Sequence, residues 1–212
     1  MKSNLLTKRI IMSLVGVIVS GISVGLFRQS NYGTDPFQVL VNGIDKQVTQ
    51  LEFGTLYMVV NLVMLIVIFL IAKHYIGIST LINIFLLGYV VDYSDAIFGD
   101  LIGADPSTPV RITFLLIGII ILCLASALYF TANLGVSTYD AVALIMTDKN
   151  FGKFKYLRIG TDIICVTVGF ALGGVVGAGT IVTAFFMGPF IEFFKTYVAQ
   201  PLLYGKKGQG EA

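Results

Sequence analysis

Two short segments of this chain combine acidic, amide and aromatic side chains next to glycines, a combination suited to binding a small polar solute. The first is NYGTDPFQVL, residues 31–40, and the second is NLGVSTYDAV, residues 133–142. Carboxylates and amides exchange hydrogen bonds with a solute, while aromatic rings supply apolar contact area. We therefore predict one substrate-binding site to which both segments contribute. Its residues are Asp35, Phe37, Gln38, Ser137, Tyr139 and Asp140.

Four further ionisable residues lie in largely apolar stretches, where a charge is costly unless it is paired, hydrated or protonated. Asp92 and Glu192 each lie about two-thirds of the way along such a stretch, and we predict gates or proton sites there. The alternative is that each makes a packing contact or extends to the membrane surface, with Lys195 within reach of Glu192. Arg158 and Asp162 are assigned to the same group, although their i,i+4 spacing is also typical of a structural ion pair.

The sequence contains no motif for a metal, a cofactor or a catalytic nucleophile. Cys123 and Cys165 lie inside apolar runs, where a thiol behaves as a small hydrophobic group. His74 stands beside a lysine in a short connection and is interpreted as an interfacial residue. The basic and aromatic segment 149–158 flanks an apolar run, so it indicates topology rather than a nucleic-acid partner. We therefore expect no enzyme activity, no cofactor and no metal.

The composition indicates an integral membrane protein whose main partner is the lipid bilayer. Of the 212 residues, 56% are hydrophobic and only 12% are charged, which leaves a soluble domain of this length too little polar surface. A helix needs roughly 20 apolar residues to cross about 30 Å of hydrocarbon. We predict six spans of about this length, at residues 10–28, 54–72, 78–98, 111–132, 158–176 and 179–198.

These stretches recur as two copies of one unit of about a hundred residues. At an offset of 102, the matching pairs include Asn31 with Asn133, Gly33 with Gly135 and Phe37 with Tyr139. We predict a first repeat at residues 1–104, a second at 105–200 and a disordered cytoplasmic tail at 201–212.

Each unit also contains a segment that is too short to cross a membrane. Residues 36–46 and 137–148 would extend only about 17 Å as helices, roughly half of the hydrocarbon thickness. We interpret them as half-helices or re-entrant segments, whose N-termini can hold a polar group. The alternative is a pair of interfacial helices, with Asp35 and Ser137 as ordinary caps. Three spans per unit, an odd number, predict an all-α protein of two inverted three-span repeats with six transmembrane helices.

The distribution of lysine and arginine orients this architecture, because these residues collect on the cytoplasmic side. With six spans and both termini inside, eleven of the fourteen lie inside, and Arg28, Lys46 and Arg111 lie outside. Eight spans in parallel repeats would place twelve inside and two outside, so only segment length favours six. We predict a multi-pass protein with both termini in the cytoplasm.

The motifs resemble those of a known family. The pattern G-x-x-P-F-x-V-L-x-x-G-I (33–44) and, after Gly54, S-T-L-I-N-x-x-x-x-G-x-x-x-D (79–92) are similar to the YczE branch of the YczE/YitT group of bacterial membrane proteins. In similar proteins an aspartate commonly follows the aromatic residue after the proline. Here the first repeat has Gln38, and the second has Thr138 in place of the proline.

The resemblance covers nearly the whole chain and implies a transport-like protein of the bacterial plasma membrane. We expect a secondary transporter for a small polar solute, metabolite-like or vitamin-like, that works by alternating access between inverted repeats. The alternative is a non-transporting accessory or assembly factor for another membrane protein. A homodimer is compatible with either function.

Overall fold

The computed structural model describes residues 2–48, 50–103 and 105–205, and within these ranges the chain forms helices and no strands. The helices are α1 (Lys2–Ser30), α2 (Pro36–Gln47), α3 (Phe53–Ala72), α4 (Ile78–Ile102), α5 (Thr108–Ala132), α6 (Thr138–Asp148), α7 (Phe154–Ala171), α8 (Ala178–Phe185), α9 (Met187–Phe194) and α10 (Gln200–Tyr204). A 3-10 turn, Lys73–Tyr75, follows α3, and a π-helical turn, Lys195–Ala199, joins α9 to α10.

By length and composition, four helical stretches can cross a membrane. They are Leu5–Ser30, Phe53–Tyr75, Ile78–Ile102 and Thr108–Ala132. The bent pair Ala178–Phe185 and Met187–Tyr204 makes a fifth if it is counted as one span. Helix α7 is 18 residues long but carries Lys155, Arg158 and Asp162. The described chain is therefore an all-helical membrane protein with four or five apolar candidate spans.

The predicted span at residues 179–198 is broken rather than straight. Helices α8 and α9 meet at Phe186 with an angle of 59°. Pro189 lies three residues beyond the break, where it has no N–H to donate to the carbonyl of Phe185 and its ring crowds the preceding turn. The first half has no proline at the corresponding position, Tyr89, and α4 runs without interruption.

The predicted disordered tail begins too early. Residues 201–204 belong to α10, and the buried side chain of Leu203 joins an apolar cluster with Met12 and Ala132. Burial of this leucine holds the helix against α1 and α5. The remainder of the predicted tail, residues 206–212, lies outside the described residues.

The first helices of the two halves, α1 and α5, form the central pair and run antiparallel. Gly16 of α1 lies against Ala125 and Tyr129, where an added Cβ would come within 3.1 Å of the α5 backbone. About two turns further along α1, the hydroxyl of Ser23 donates to the carbonyl of Gly118 at 2.7 Å. Residue numbers rise along α1 as they fall along α5, and small residues allow the two backbones to approach closely.

The two short helices lie at the predicted positions, and each packs on a long helix of the other half. Helix α6 runs beside α3: the Thr138 hydroxyl donates to Asn61 at 2.5 Å, and the Tyr75 hydroxyl donates to Asp148 at 2.6 Å. Because Asn61 is midway along α3, α6 begins at the middle of that helix and ends beside its C-terminal end. Helix α2 packs in the same crossed manner on α7.

The repeated Asn-x-Gly sequence reflects a backbone conformation that recurs in both halves. The φ angles of Asn31 and Asn133 are +54° and +49°. Those of Gly33 and Gly135 are +87° and +105°. Asparagine tolerates the left-handed region better than most residues, and glycine enters it without steric cost. Each turn stops a long helix and redirects the chain into a short one.

Each of these turns also contacts the other half, and the two contacts are equivalent. The backbone N–H of Gly179 donates to the carbonyl of Tyr32, and the N–H of Ser79 donates to the carbonyl of Leu134, both at 2.9 Å. The residue between Asn and Gly is thus the acceptor in both halves. The halves are joined by a reciprocal pair of backbone hydrogen bonds.

Candidate functional site

A cavity of about 410 Å³ lies between the halves, where the N-terminal ends of α2 and α6 meet. Phe37 and Tyr139, which occupy equivalent positions in the two repeats, stack with ring centroids 5.0 Å apart and planes inclined by 17°. All six residues predicted to bind substrate line this cavity, together with Arg158 and Asp162. The structure therefore brings eight of the ten predicted site residues together.

The start of each short helix is fixed by a side-chain cap beside the cavity. Asp35 caps α2, accepting a hydrogen bond from the Gln38 backbone N–H at 3.2 Å, and Pro36 is the first helical residue. Ser137 caps α6, and its hydroxyl oxygen accepts from the Asp140 backbone N–H at 3.1 Å. The capping function that was the alternative interpretation of Asp35 and Ser137 is present in the structure, at the cavity wall.

Arg158 is the cation of the site, and two carboxylates hold it. Its guanidinium forms an ion pair with Asp140 of α6, and its Nε lies 3.4 Å from Asp162 Oδ1, four residues further along α7. The guanidinium carbon lies 4.3 Å from the centre of the Tyr139 ring, and the Tyr139 hydroxyl donates to Asp162. Asp140 thus pairs with a cation on another helix, and the Arg158–Asp162 pair predicted from i,i+4 spacing is formed.

Asp35 has a different environment from the other two cavity carboxylates. Within the part of the chain that the structure describes, it forms no ion pair, and the hydrogen bond to its side chain comes from the Gln38 backbone. Two buried polar atoms nearby, Gln38 Oε1 and the Tyr129 hydroxyl, have no hydrogen-bond partner among the described residues. Gln38 is only 3% exposed and Tyr129 only 8%, so bulk water does not satisfy them freely.

Asp92 and Glu192 lie outside this cavity. Asp92 Oδ2 accepts from the backbone N–H of Gly54, at the start of α3, at 2.6 Å. Glu192 is exposed and pairs with Lys195 at 3.3 Å, in agreement with the interpretation that it extends to a surface. The structure does not bring the two carboxylates together, and their role as gates or proton sites stays a prediction.

Sequence reasoning missed several polar residues that line the cavity, among them Tyr57, Asn61 and Tyr129. All three lie inside apolar runs, where a single polar residue is easily taken for part of a span. A signal was present for two of them, because Tyr57 and Asn61 are the counterparts of Arg158 and Asp162 at an offset of 101. The counterpart of Tyr129 in the first repeat is the apolar residue Phe27, so comparison of the repeats did not indicate that Tyr129 lines a polar site.

The cavity walls differ between the halves. Straight helix α4 contributes Asn83 and Leu87 and packs along α1, whereas the bent α8–α9 pair contributes Thr183 and Met187 and packs less extensively on α5. The cavity is lined by Ser126 of α5 and by residues on both sides of the bend, Thr183 and Met187. Equivalent wall elements thus have two different conformations in one molecule.

Fold and site together define a multispanning α-helical membrane protein with a central cavity between its two halves. Residues 7–196 match the family described as "Family of unknown function (DUF6198)", and the chain belongs to that family.

Three relatives are similar over different portions of the chain. An uncharacterized protein of Haemophilus influenzae is 29% identical over 91% of this chain and 86% of its own length. The uncharacterized membrane protein YczE of Bacillus subtilis is 25% identical over 60% of this chain and 57% of its own. YyaS of the same organism is 22% identical over 89% and 93%. The predicted resemblance to YczE is confirmed, and no solved structure matches the chain.

Proposed function

We propose that this protein is a secondary transporter for a small, metabolite-like or vitamin-like solute in the bacterial plasma membrane, with both termini in the cytoplasm. The observation that carries the proposal is the cavity of about 410 Å³ between the halves, lined by equivalent residues of both. Its volume is in the range of small-molecule sites, roughly 300–1,000 Å³. Transporters built from inverted repeats bind substrate at the repeat interface, between the ends of broken helices.

The second part of the proposal is that the halves are inverted three-span repeats. Two observations support it: the equivalent helices α1 and α5 pack antiparallel, and the backbone contacts between halves are reciprocal. A two-fold axis perpendicular to the helices produces both. In this arrangement α7 is a span despite its charges, because Arg158 and Asp162 face the cavity, and α8–α9 is a span that is bent.

The difference between the walls supports alternating access. If α8–α9 straightens while α4 bends, the two repeats exchange conformations and the cavity opens toward the opposite membrane face. An accessory or assembly factor has no need of such an exchange, so access to the cavity from both faces separates the two functions.

Cysteine labelling tests this proposal. In a background with Cys123 and Cys165 replaced by alanine, Ser126→Cys places a thiol at the cavity wall. A membrane-impermeant thiol reagent should label it in right-side-out and in inside-out vesicles. Ser94→Cys is the control, since Ser94 is buried between α1 and α4 away from the cavity and should label from neither side. Labelling of Ser126→Cys from one face only would support an accessory protein with a fixed cavity.

A further inference from the structure

The charged groups of the cavity do not balance. Three carboxylates, Asp35, Asp140 and Asp162, line it with one guanidinium, that of Arg158. The N-termini of α2 and α6 each contribute roughly half a positive charge. With the carboxylates ionised, an excess of about one negative charge remains in the cavity.

This excess is localised at Asp35. Asp140 and Asp162 are both paired with Arg158, whereas Asp35 has no cationic partner within the described residues. An anionic solute would meet an arginine whose guanidinium already serves two carboxylates. A cationic solute would meet an unpaired carboxylate, so the electrostatics of the cavity favour a cation.

Unsatisfied polar atoms indicate what kind of cation fits. Gln38 Oε1 is an acceptor without a donor, and the Tyr129 hydroxyl also lacks a partner among the described residues. A buried acceptor left unpaired is costly, and a ligand with N–H groups removes that cost. A bare metal ion fits less well, since the described chain contains no group of three or more side chains suited to hold one.

Aromatic rings complete the site. Phe37 stacks on Tyr139 and meets the Tyr57 ring edge-on at 5.9 Å between centroids. The Tyr139 ring already contacts Phe37 and the Arg158 guanidinium through its faces, so the aromatic cluster supplies apolar contact for the carbon skeleton of an organic cation.

We propose that the cavity binds a small organic monocation with N–H groups, such as a protonated amine, and that Asp35 is its counter-ion while Gln38 accepts one of its N–H bonds. This inference rests on the proposed transport function, because it names the class of solute that the same cavity would carry.

The test compares three probes that share one ring and differ in charge: benzylammonium, benzyl alcohol and benzoate. Each is added to the purified full-length protein in detergent, and the melting temperature is followed over a concentration series. Ligand binding to the folded state raises the melting temperature with concentration. Benzylammonium should stabilise the wild-type protein, and the alcohol and benzoate should not at equal concentrations.

Substitutions then locate the binding. Asp35→Asn retains an N-cap residue of nearly the same shape and should weaken benzylammonium binding by at least about tenfold, as expected for loss of a charge-assisted contact. The matched control is Asp45→Asn, also on the α2 segment but at a separate surface pocket, which should change binding by less than about twofold.

Gln38→Met provides a second variant that does not depend on the cap. It removes a buried acceptor that has no partner in the described chain, so the ligand-free protein should melt at the same temperature or higher. Benzylammonium binding should nevertheless weaken. Unchanged binding by both Asp35→Asn and Gln38→Met would overturn the proposal, as would failure of benzylammonium to stabilise the wild-type protein.

The outcomes separate this proposal from the transport function. Stabilisation by benzoate or benzyl alcohol instead of benzylammonium would remove the cation assignment and leave the transport proposal standing. Labelling of Ser126→Cys from one face only, together with Asp35-dependent benzylammonium binding, would remove transport and leave a cation-binding site.

Discussion

Arg158 joins helices that belong to different parts of the second half. It pairs with Asp140 on α6 and Asp162 on α7, and its guanidinium covers the Tyr139 ring. Sequence spacing predicted the contact along α7, because residues four apart share a helix face. It could not identify the partner of Asp140, since a contact across 18 residues depends on how α6 docks beside α7. The same limit applies to Asp92, whose donor Gly54 lies on another helix.

Removing this guanidinium should destabilise the protein. Arg158→Met leaves two carboxylates close together without a cation, so we expect a loss of about 1–3 kcal/mol and a melting temperature lower by several degrees. The exposed pair offers a control: Lys195→Met should cost less than about 1 kcal/mol. Adding Asp140→Asn and Asp162→Asn to Arg158→Met should restore part of the loss. Equal melting temperatures for Arg158→Met and Lys195→Met would contradict the role assigned to Arg158.

The elements that position the site are the two short helices and the turns before them. Their existence and approximate bounds were predictable, because Asn-x-Gly ends a long apolar run and a segment of half the membrane thickness follows it, which indicates a short helix whether it is re-entrant or interfacial. Their docking was not predictable, since α2 packs on α7 and α6 on α3, and nothing local in either segment specifies the other half. Gly188 and Pro189 follow Phe186 and favour a break there. Because the whole stretch is apolar, it was nevertheless predicted to be one continuous span.

Substitution of the turn glycine Gly33 tests whether the close contact between the halves contributes to stability. Gly33→Ala puts a Cβ at a left-handed residue and within 2.6 Å of the Gly177 backbone nitrogen. Gly103→Ala is a control, since its φ is +75° but no atom outside its chain neighbours lies within 4 Å of the added Cβ. Both should lose about 1–3 kcal/mol from backbone strain at a positive φ, and Gly33→Ala should melt at a lower temperature because its Cβ also clashes with the Gly177 backbone. Similar melting temperatures would mean that the contact with Gly177 contributes little.

The bend in α8–α9 can be tested through Pro189. Pro189→Ala restores an N–H that can donate to Phe185 and should favour a straighter helix. If the bend opens the cavity, Ser126→Cys in this background should react more slowly with the thiol reagent from the face that is open in the parent protein. As a control, Pro201→Ala, in α10 away from the cavity, should leave that rate unchanged. An unchanged labelling rate of Ser126→Cys in the Pro189→Ala protein would show that the bend does not control access to the cavity.

For the molecule as a whole, composition established the membrane environment and the internal repeat established two similar halves. A repeated sequence fits parallel or inverted copies equally well, and the antiparallel contact between α1 and α5 supports the inverted arrangement that we propose. The distribution of lysine and arginine does not distinguish six spans in inverted repeats from eight spans in parallel repeats. Lys46, Lys73 and Arg111 change sides between the two arrangements, but the number of positive charges on each side stays nearly the same.

Topology in cells tests the inverted arrangement directly. Gln47→Cys and Asn150→Cys place thiols at the ends of α2 and α6, both at exposed positions. In the cysteine-free background, an impermeant reagent added to intact cells should label position 47 only. Both positions should label after the cells are permeabilised, which controls for reactivity. Labelling of neither in intact cells would put both loops in the cytoplasm and favour eight spans in parallel repeats.

The reciprocal hydrogen bonds between the halves have a consequence for biosynthesis. The carbonyl of Tyr32 and the N–H of Ser79 find their partners at Gly179 and Leu134, which the ribosome adds about 150 and about 55 residues later, respectively. At roughly 5–20 residues per second, the partner of Tyr32 is synthesised about 7–30 s later and that of Ser79 about 3–11 s later. During that interval the two backbone groups lack their native partners and must bond to water, to lipid head groups or to another chain, so the first half completes its native hydrogen bonding only after its own second half has been inserted.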